Sequence, residues 1–226
     1  MSNDSSPSSN PSSANPRRGR RGLMMGLVVV VLAIAAWPAY TKFNGYILDQ
    51  SLDLGDLAET DPDQALAGLD RIAWMASWST ELDSFLHSKA NALSKLNRFE
   101  EAIECRNQHF AVADPADLQV IYFLRGNDLR AAKRFDEAIA DYQKSIEQIE
   151  SIAGGSPEFL ERVSLKIADL WIHIGQVEQD RGDKEKANAV FQKAVALNDG
   201  VHELHPWLKD VLKPTDGIPE NPDGLN

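Results

Sequence analysis

Five histidines, one cysteine and several adjacent acids are the residues of this chain with chemistry to offer. His202 and His205 lie about one helical turn apart, with Glu203 between them. A zinc-hydrolase helix needs H-E-x-x-H, in which two imidazoles ligate and the glutamate is the base. That spacing is absent, and His87, His109 and His173 are scattered, so surface histidines are expected and no metal is. Cys105 is the single cysteine. It excludes an internal disulfide and every zinc site built on paired cysteines, and reads as a small buried apolar group. Neither a G-x-S-x-G, nor a phosphate-binding loop, nor a Gly-rich dinucleotide turn occurs. Glu100-Glu101 and Asp136-Glu137 stand at helix starts, where the helix dipole favours acids. Arg181-Gly182-Asp183 spells an adhesion tripeptide, but its glycine is the one a tight turn requires. No enzyme and no cofactor is expected from this inventory.

Apolar residues make up 43% of the 226 and charged residues 25%, which suits a globular body. The net charge of −11 argues against nucleic-acid binding, which needs a basic footprint. The charge is also uneven. Residues 1–42 hold five basic groups and one acid, whereas residues 43–226 carry a net −15. Such asymmetry points to a membrane-proximal head.

Residues 1–22 begin with a Ser/Asn/Pro tract that offers nothing to bury, and they end in the Arg17–Arg21 cluster. A disordered basic cytoplasmic head is expected there. From Leu23 to Tyr40 the run LMMGLVVVVLAIAAWPAY carries no charge, and Trp37 and Tyr40 mark its far end. Its helical length, roughly 27 Å at ~1.5 Å per residue, approaches the ~30 Å hydrocarbon core. A single transmembrane helix over 23–41 is expected, with a cleaved signal peptide ending near Ala33, Ala35 and Ala36 as the alternative. Either way the arginines stay in the cytoplasm and the body lies outside it, at a cell inner (plasma) membrane with the repeats periplasmic or otherwise extracytoplasmic.

The body repeats itself. LHSKANALSKLNRFEEAI (86–103), YFLRGNDLRAAKRFDEAI (122–139) and WIHIGQVEQDRGDKEKAN (171–188) align without gaps. Ala102, Ala138 and Ala187 stand at one place in each unit, 36 and 49 residues apart. This resembles the tetratricopeptide repeat, a helix–turn–helix unit of about 34 residues. The third unit supplies the large, small, alanine, aromatic and alanine residues of that pattern as Trp171, Gly175, Ala187, Phe191 and Ala194. The second supplies Tyr122, Gly126, Ala138, Tyr142 and Ser145, and the first Leu86, Ala90, Ala102, Arg106 and His109. Arg106 and His109 depart from the pattern.

The resemblance implies an all-α, TPR-like solenoid of helical hairpins. Residues 42–80 read as a linker and a degenerate first repeat, in which 61–75 form a helix; 81–200 read as three repeats. Thr80-x-x-Asp83 looks like a capping box, and Ser156-Pro157-Glu158 like a cap with proline at the first helical position. The long third spacing holds an insertion that lengthens the helix starting at Pro157 by about two turns. Residues 201–212 read as one capping helix and 213–226 as a disordered tail.

The resemblance also implies a scaffold that binds a protein or peptide along the concave face built by the first helices. On that face it places His87, Asn91, Lys95, Phe123, Asn127, Arg130 and Gln176, with Ser84 and Val120 on the same face. Asn91 and Asn127 would grip the ligand backbone. Lys95 and Arg130 would favour an acidic group or a free C-terminal carboxylate. Trp74 and Trp78, four apart on one helix, are the candidate hot spot, and self-association through them is the alternative function. An enzyme using the 145–165 insertion is a remote alternative.

Overall fold

A computed structural model of the chain describes residues 16–212, with side chains from residue 29 onward. The expected tail at 213–226 and most of the expected head lie outside the described residues. Among those residues every regular element is helical: α1 (Pro16–Leu57), α2 (Pro62–Ala76), α3 (Leu82–Lys95), α4 (Phe99–Phe110), α5 (Leu118–Ala131), α6 (Phe135–Ala153), α7 (Pro157–Arg181), α8 (Lys184–Leu197), α9 (Val201–Leu204) and α10 (Leu208–Val211). Two compact units divide at Tyr46 and Ile47.

In the first unit α1 already contains Arg17–Arg21, so that cluster is helical rather than part of a disordered head. Val29, Val30, Val31, Leu32, Ile34 and Trp37 are all exposed. No helix among the described residues is long and apolar enough to cross a membrane. The expected span of 23–41 is therefore not met there. The side chains of residues 23–28 lie outside the described residues.

The second unit starts inside α1, where a linker was expected. Ile47, Ser51 and Ala58 recur at helical spacing and are fully buried, which makes residues 47–57 the first helix of the degenerate hairpin. α2 is its second helix, opened by an Asp61 side chain that accepts from Gln64 N at 3.0 Å and by Pro62 at the first position. Three hairpins follow, α3/α4, α5/α6 and α7/α8. α3 starts after Glu81, one residue later than a Thr80 cap would place it; Glu81 makes no side-chain cap bond, and Asp83 bonds to His109.

The turn of each hairpin is built the same way. Asn97, Lys133 and Gly182, each five residues before the repeated alanine, have φ of 58°, 62° and 95°. The next N–H returns to the first helix: Arg98 N to Leu93 O, Arg134 N to Leu129 O and Asp183 N to Glu178 O, at 2.8–2.9 Å. This is a left-handed C-terminal cap that uses carbonyls the helix leaves unpaired. Arg98 then grips Glu101 and Arg134 grips Glu137, each through two bonds of 2.6–2.8 Å. That geometry is the physical content of the shared R-F-(E/D)-E-A-I.

Inside α5/α6 and α7/α8 a glycine on the first helix faces a large ring on the second. A Cβ placed on Gly126 would stand 2.7 Å from Tyr142 Cε1, and one on Gly175 closer still to the Phe191 ring. Tyr142 and Phe191 are fully buried; Tyr142 packs in a cluster with Leu129, Ile146, Ile149, Ile167, Leu170 and Ile174, and Phe191 in one with Ala168, Ile172, Val201 and Leu208. The insertion is shared rather than confined to α7. α6 has 19 residues against 12 in α4, and Gly154 and Gly155, both with positive φ, join α6 to α7. The Ser156 hydroxyl caps α7 by accepting from Phe159 N at 3.4 Å. Residues 201–212 form two single turns instead of one helix. Pro206 lacks an N–H and pushes His205 out of the helical region, to φ −128° and ψ 73°.

Candidate functional site

The first helices α3, α5 and α7 line one face, tied together by side chains that cross between them. Ser94 on α3 donates to Asp128 Oδ1 on α5 at 2.5 Å. Lys166 Nζ on α7 donates to Gln119 Oε1 on α5 at 2.9 Å, and Arg130 Nε on α5 to Asp180 Oδ2 on α7 at 2.6 Å. Lys95 Nζ reaches back to Glu59 Oε2, in the turn between α1 and α2, at 2.7 Å.

Asn91 and Asn127 occupy equivalent places and point at equivalent partners. Asn91 Oδ1 accepts from Arg106 Nη2 at 3.0 Å, and Asn127 Oδ1 accepts from the Tyr142 hydroxyl at 2.7 Å. Each asparagine therefore anchors the large side chain of its own second helix. Burial pushes the Tyr142 phenol well above its ordinary range, so it stays a donor. Arg106 fills the place of an aromatic and is 2% exposed. Its Nε donates to Asp128 Oδ2 at 2.5 Å, while Nη1 has no partner among the described residues.

The predicted groove residues fall into two groups. His87 and Asn91 form one, with Asn91 Nδ2 and His87 Nε2 3.0 Å apart. Phe123, Asn127, Arg130 and Gln176 form the other. Phe123 packs edge-on against His173 at 5.0 Å between ring centroids, and Arg130 Nη1 donates to Gln176 Oε1 at 2.5 Å. Lys95 stands apart with Glu59. Neither Lys95 nor Arg130 is an unpaired cation.

Between the starts of α3 and α5 lies a cavity of about 210 Å³. Ser84, His87 and Val120, all placed on the face by the sequence, line it. So do Leu52, Asp83 and Asp117, which sequence reasoning missed, along with the imidazole of His109. His109 is 3% exposed; its Nε2 bonds Asp83 Oδ1, and its Nδ1 has no partner among the described residues. His109 replaces the small residue of the pattern, which is the one signal that could have exposed this pair.

Trp74 and Trp78 are 70% and 78% exposed. They do not share a helix, because α2 ends at Ala76 and Trp78 sits in the following turn. Cys105 is buried, its Sγ 3.4 Å from Leu86 O, and burial pushes its thiol up to about 11. It is a packed group, not a nucleophile at neutral pH. The expected surface position of His205 is corrected: it is half-buried, its Nε2 2.6 Å from Asp169 Oδ1 and its ring beside Trp207. No group of three or more metal-ligating side chains gathers among the described residues.

The third hairpin decides the comparison with known proteins. A family model of the tetratricopeptide repeat matches residues 168–200. The match begins three residues before Trp171 and spans the Gly175–Phe191 contact, so it falls on the hairpin whose packing fits the tetratricopeptide pattern best. The two hairpins before it use the same left-handed turn, α5/α6 also has the glycine-against-ring contact, and the helical architecture is consistent with a TPR-like solenoid. No curated protein matches the chain.

Proposed function

We propose that this chain is a protein-binding scaffold that holds a partner along the face of α3, α5 and α7. The observation that carries the reading is the cavity on that face, lined by three residues the repeat register had placed there, Ser84, His87 and Val120. A tetratricopeptide repeat is a protein-interaction unit, and helical repeats bind through the surface their stacked units share. The expected acidic or carboxylate ligand would have to displace Glu59 from Lys95 and Asp180 from Arg130. The proposal therefore gives the partner no such group. Residues of the 145–165 insertion that face inward, Ile146, Ile149 and Ala153, are buried in packing, so the insertion is read as structural rather than catalytic.

Membrane attachment through residues 23–41 is part of the proposal. It rests on the uncharged run Leu23–Tyr40, the arginines before it and the exposure of its described apolar side chains. By the positive-inside rule the body would lie outside the cytoplasm. A reporter fused after Asn226 should be active only there; activity in the cytoplasm would contradict this orientation. For the face itself, a Ser84→Arg, Val120→Arg double variant of the full chain should lose partners that co-purify with the native chain. A Gln143→Arg control on the exposed side of α6 should retain them. Retention by both variants would contradict the reading.

The exposure of Trp74 and Trp78 favours one second reading, self-association through that surface. Light scattering on the full chain separates the two: a dimer dispersed by Trp74→Ser, Trp78→Ser would support it, and a monomer at high concentration would remove it.

A further inference from the structure

The cavity between α3 and α5 has a chemical preference that follows from its hydrogen bonds. Arg106 can only donate, so its bond to Asn91 fixes Oδ1 as the acceptor and Nδ2 as the donor. Asn91 Nδ2 must then donate to His87 Nε2. His87 is thereby held as the neutral tautomer with its proton on Nδ1. Burial, then Arg106 and His109 beside it, also keep that ring uncharged, against the pull of Asp83 and Asp117. Arg106 does not line the cavity, and its guanidinium is paired with Asp128 at 2.5 Å.

What remains on the wall is acidic. Asp117 is exposed at the start of α5, and its carboxylate makes no cap bond to the helix. Asp83 is 39% exposed and bonded on one side by His109. The buried Nδ1 of His109 has no partner among the described residues. Leu52, Val120 and Ile121 supply an aliphatic wall beside these acceptors. The volume of about 210 Å³ is below the ~300–1,000 Å³ typical of small-molecule sites. It suits a single long side chain with an apolar stem and a cationic head.

Resting on the scaffold reading, we infer that this cavity is a subsite for one lysine or arginine side chain of the partner, whose head meets Asp117 and Asp83 and whose stem lies along Leu52 and Val120. The preference is the reverse of the carboxylate capture that Lys95 and Arg130 suggested.

The test is a selection of peptides from a random heptapeptide display library on the immobilised full chain, followed by affinity measurements on synthetic copies. The subsite requires that enriched peptides share a lysine or arginine at one position. Replacing that residue with norleucine should weaken binding about tenfold, and Asp117→Asn should weaken it at least fivefold without changing the melting temperature. If the peptides lose affinity for the Ser84→Arg, Val120→Arg variant but tolerate norleucine and Asp117→Asn, the subsite is overturned and the scaffold reading stands. If no peptide is enriched, or those enriched are indifferent to Ser84→Arg, Val120→Arg, both are overturned.

Discussion

Arg106 of α4 and Asp128 of α5 form an ion pair at 2.5 Å, with side chains only 2% and 4% exposed. It stands where the other two hairpins bury an aromatic ring, Tyr142 or Phe191. Asn91 and Ser94 complete it from α3. The pair thus couples two hairpins through a polar network instead of a ring. Removing one partner strands a buried charge, which costs ~3–5 kcal/mol, whereas replacing both with apolar residues is often neutral. Asp128→Ala should lower the melting temperature of the full chain by about 10 °C or more, at ~2–4 °C per kcal/mol for this size. Arg106→Met, Asp128→Leu should recover most of that loss. A double variant no more stable than Asp128→Ala would contradict this account.

Gly126 and Gly175 each leave room for a buried ring, Tyr142 or Phe191. Alanine is the better helix former by ~1 kcal/mol, so on propensity alone Gly→Ala would stabilise α5 and α7. Overpacking costs ~1–3 kcal/mol, and these rings are enclosed on all sides, so overpacking wins. Gly126→Ala and Gly175→Ala should each lower the melting temperature. A rise in both would mean that the helices are not held this close.

How much of this was legible depended on whether a residue followed the repeat. The hairpins at Ala102, Ala138 and Ala187 and the glycines opposite the rings were readable, because close helix packing admits few residue types at those places. The Pro157 start of α7 was readable from its cap. Residues 47–57 were not, since Ile47, Ser51 and Ala58 form a buried face too short and too polar to stand out. The groove was half legible. The repeat register put Ser84, His87 and Val120 on one face, and all three line the cavity, but side-chain pairing is not a local property. Nothing near Arg130 in sequence announces Asp180, and nothing near Lys95 announces Glu59.

The repeated left-handed turn gives a prediction of opposite sign. Asn97 and Lys133 hold φ of 58° and 62°, where the third hairpin has Gly182. A side chain in that region costs ~1–2 kcal/mol, less for asparagine. Part of that is offset by the greater freedom of glycine in the unfolded chain. Lys133→Gly should therefore raise the melting temperature, and Asn97→Gly should raise it less. A fall on Lys133→Gly would show that the lysine is held by more than the turn.

His87 and His173 set the response to mild acid. Burial lowers both below the ordinary value of 6.5. For His173, Asp169 opposes the shift while Arg130 and His205 add to it; for His87, Arg106 and His109 add to it and Asp83 and Asp117 oppose it. A histidine lowered in the folded state is protonated first in the unfolded chain. Its contribution is fully present above pH 6.5 and is lost as pH falls from 6.5 through the folded value. The melting temperature should fall between pH 7.5 and about 5.5. His173→Phe, which keeps a ring against Phe123 and Tyr142, should flatten the slope. An unchanged slope in that variant would remove His173 from the account.

The central claim is that the partner lies on the face of α3, α5 and α7. A photo-crosslinking amino acid placed at Val120 of the full chain, expressed in its native cells, tests it most directly against the same group at Gln143 on α6. The expected result is a discrete adduct from Val120, abolished by Ser84→Arg, with none from Gln143. An adduct from Gln143 alone, or equal adducts from both positions, would contradict it.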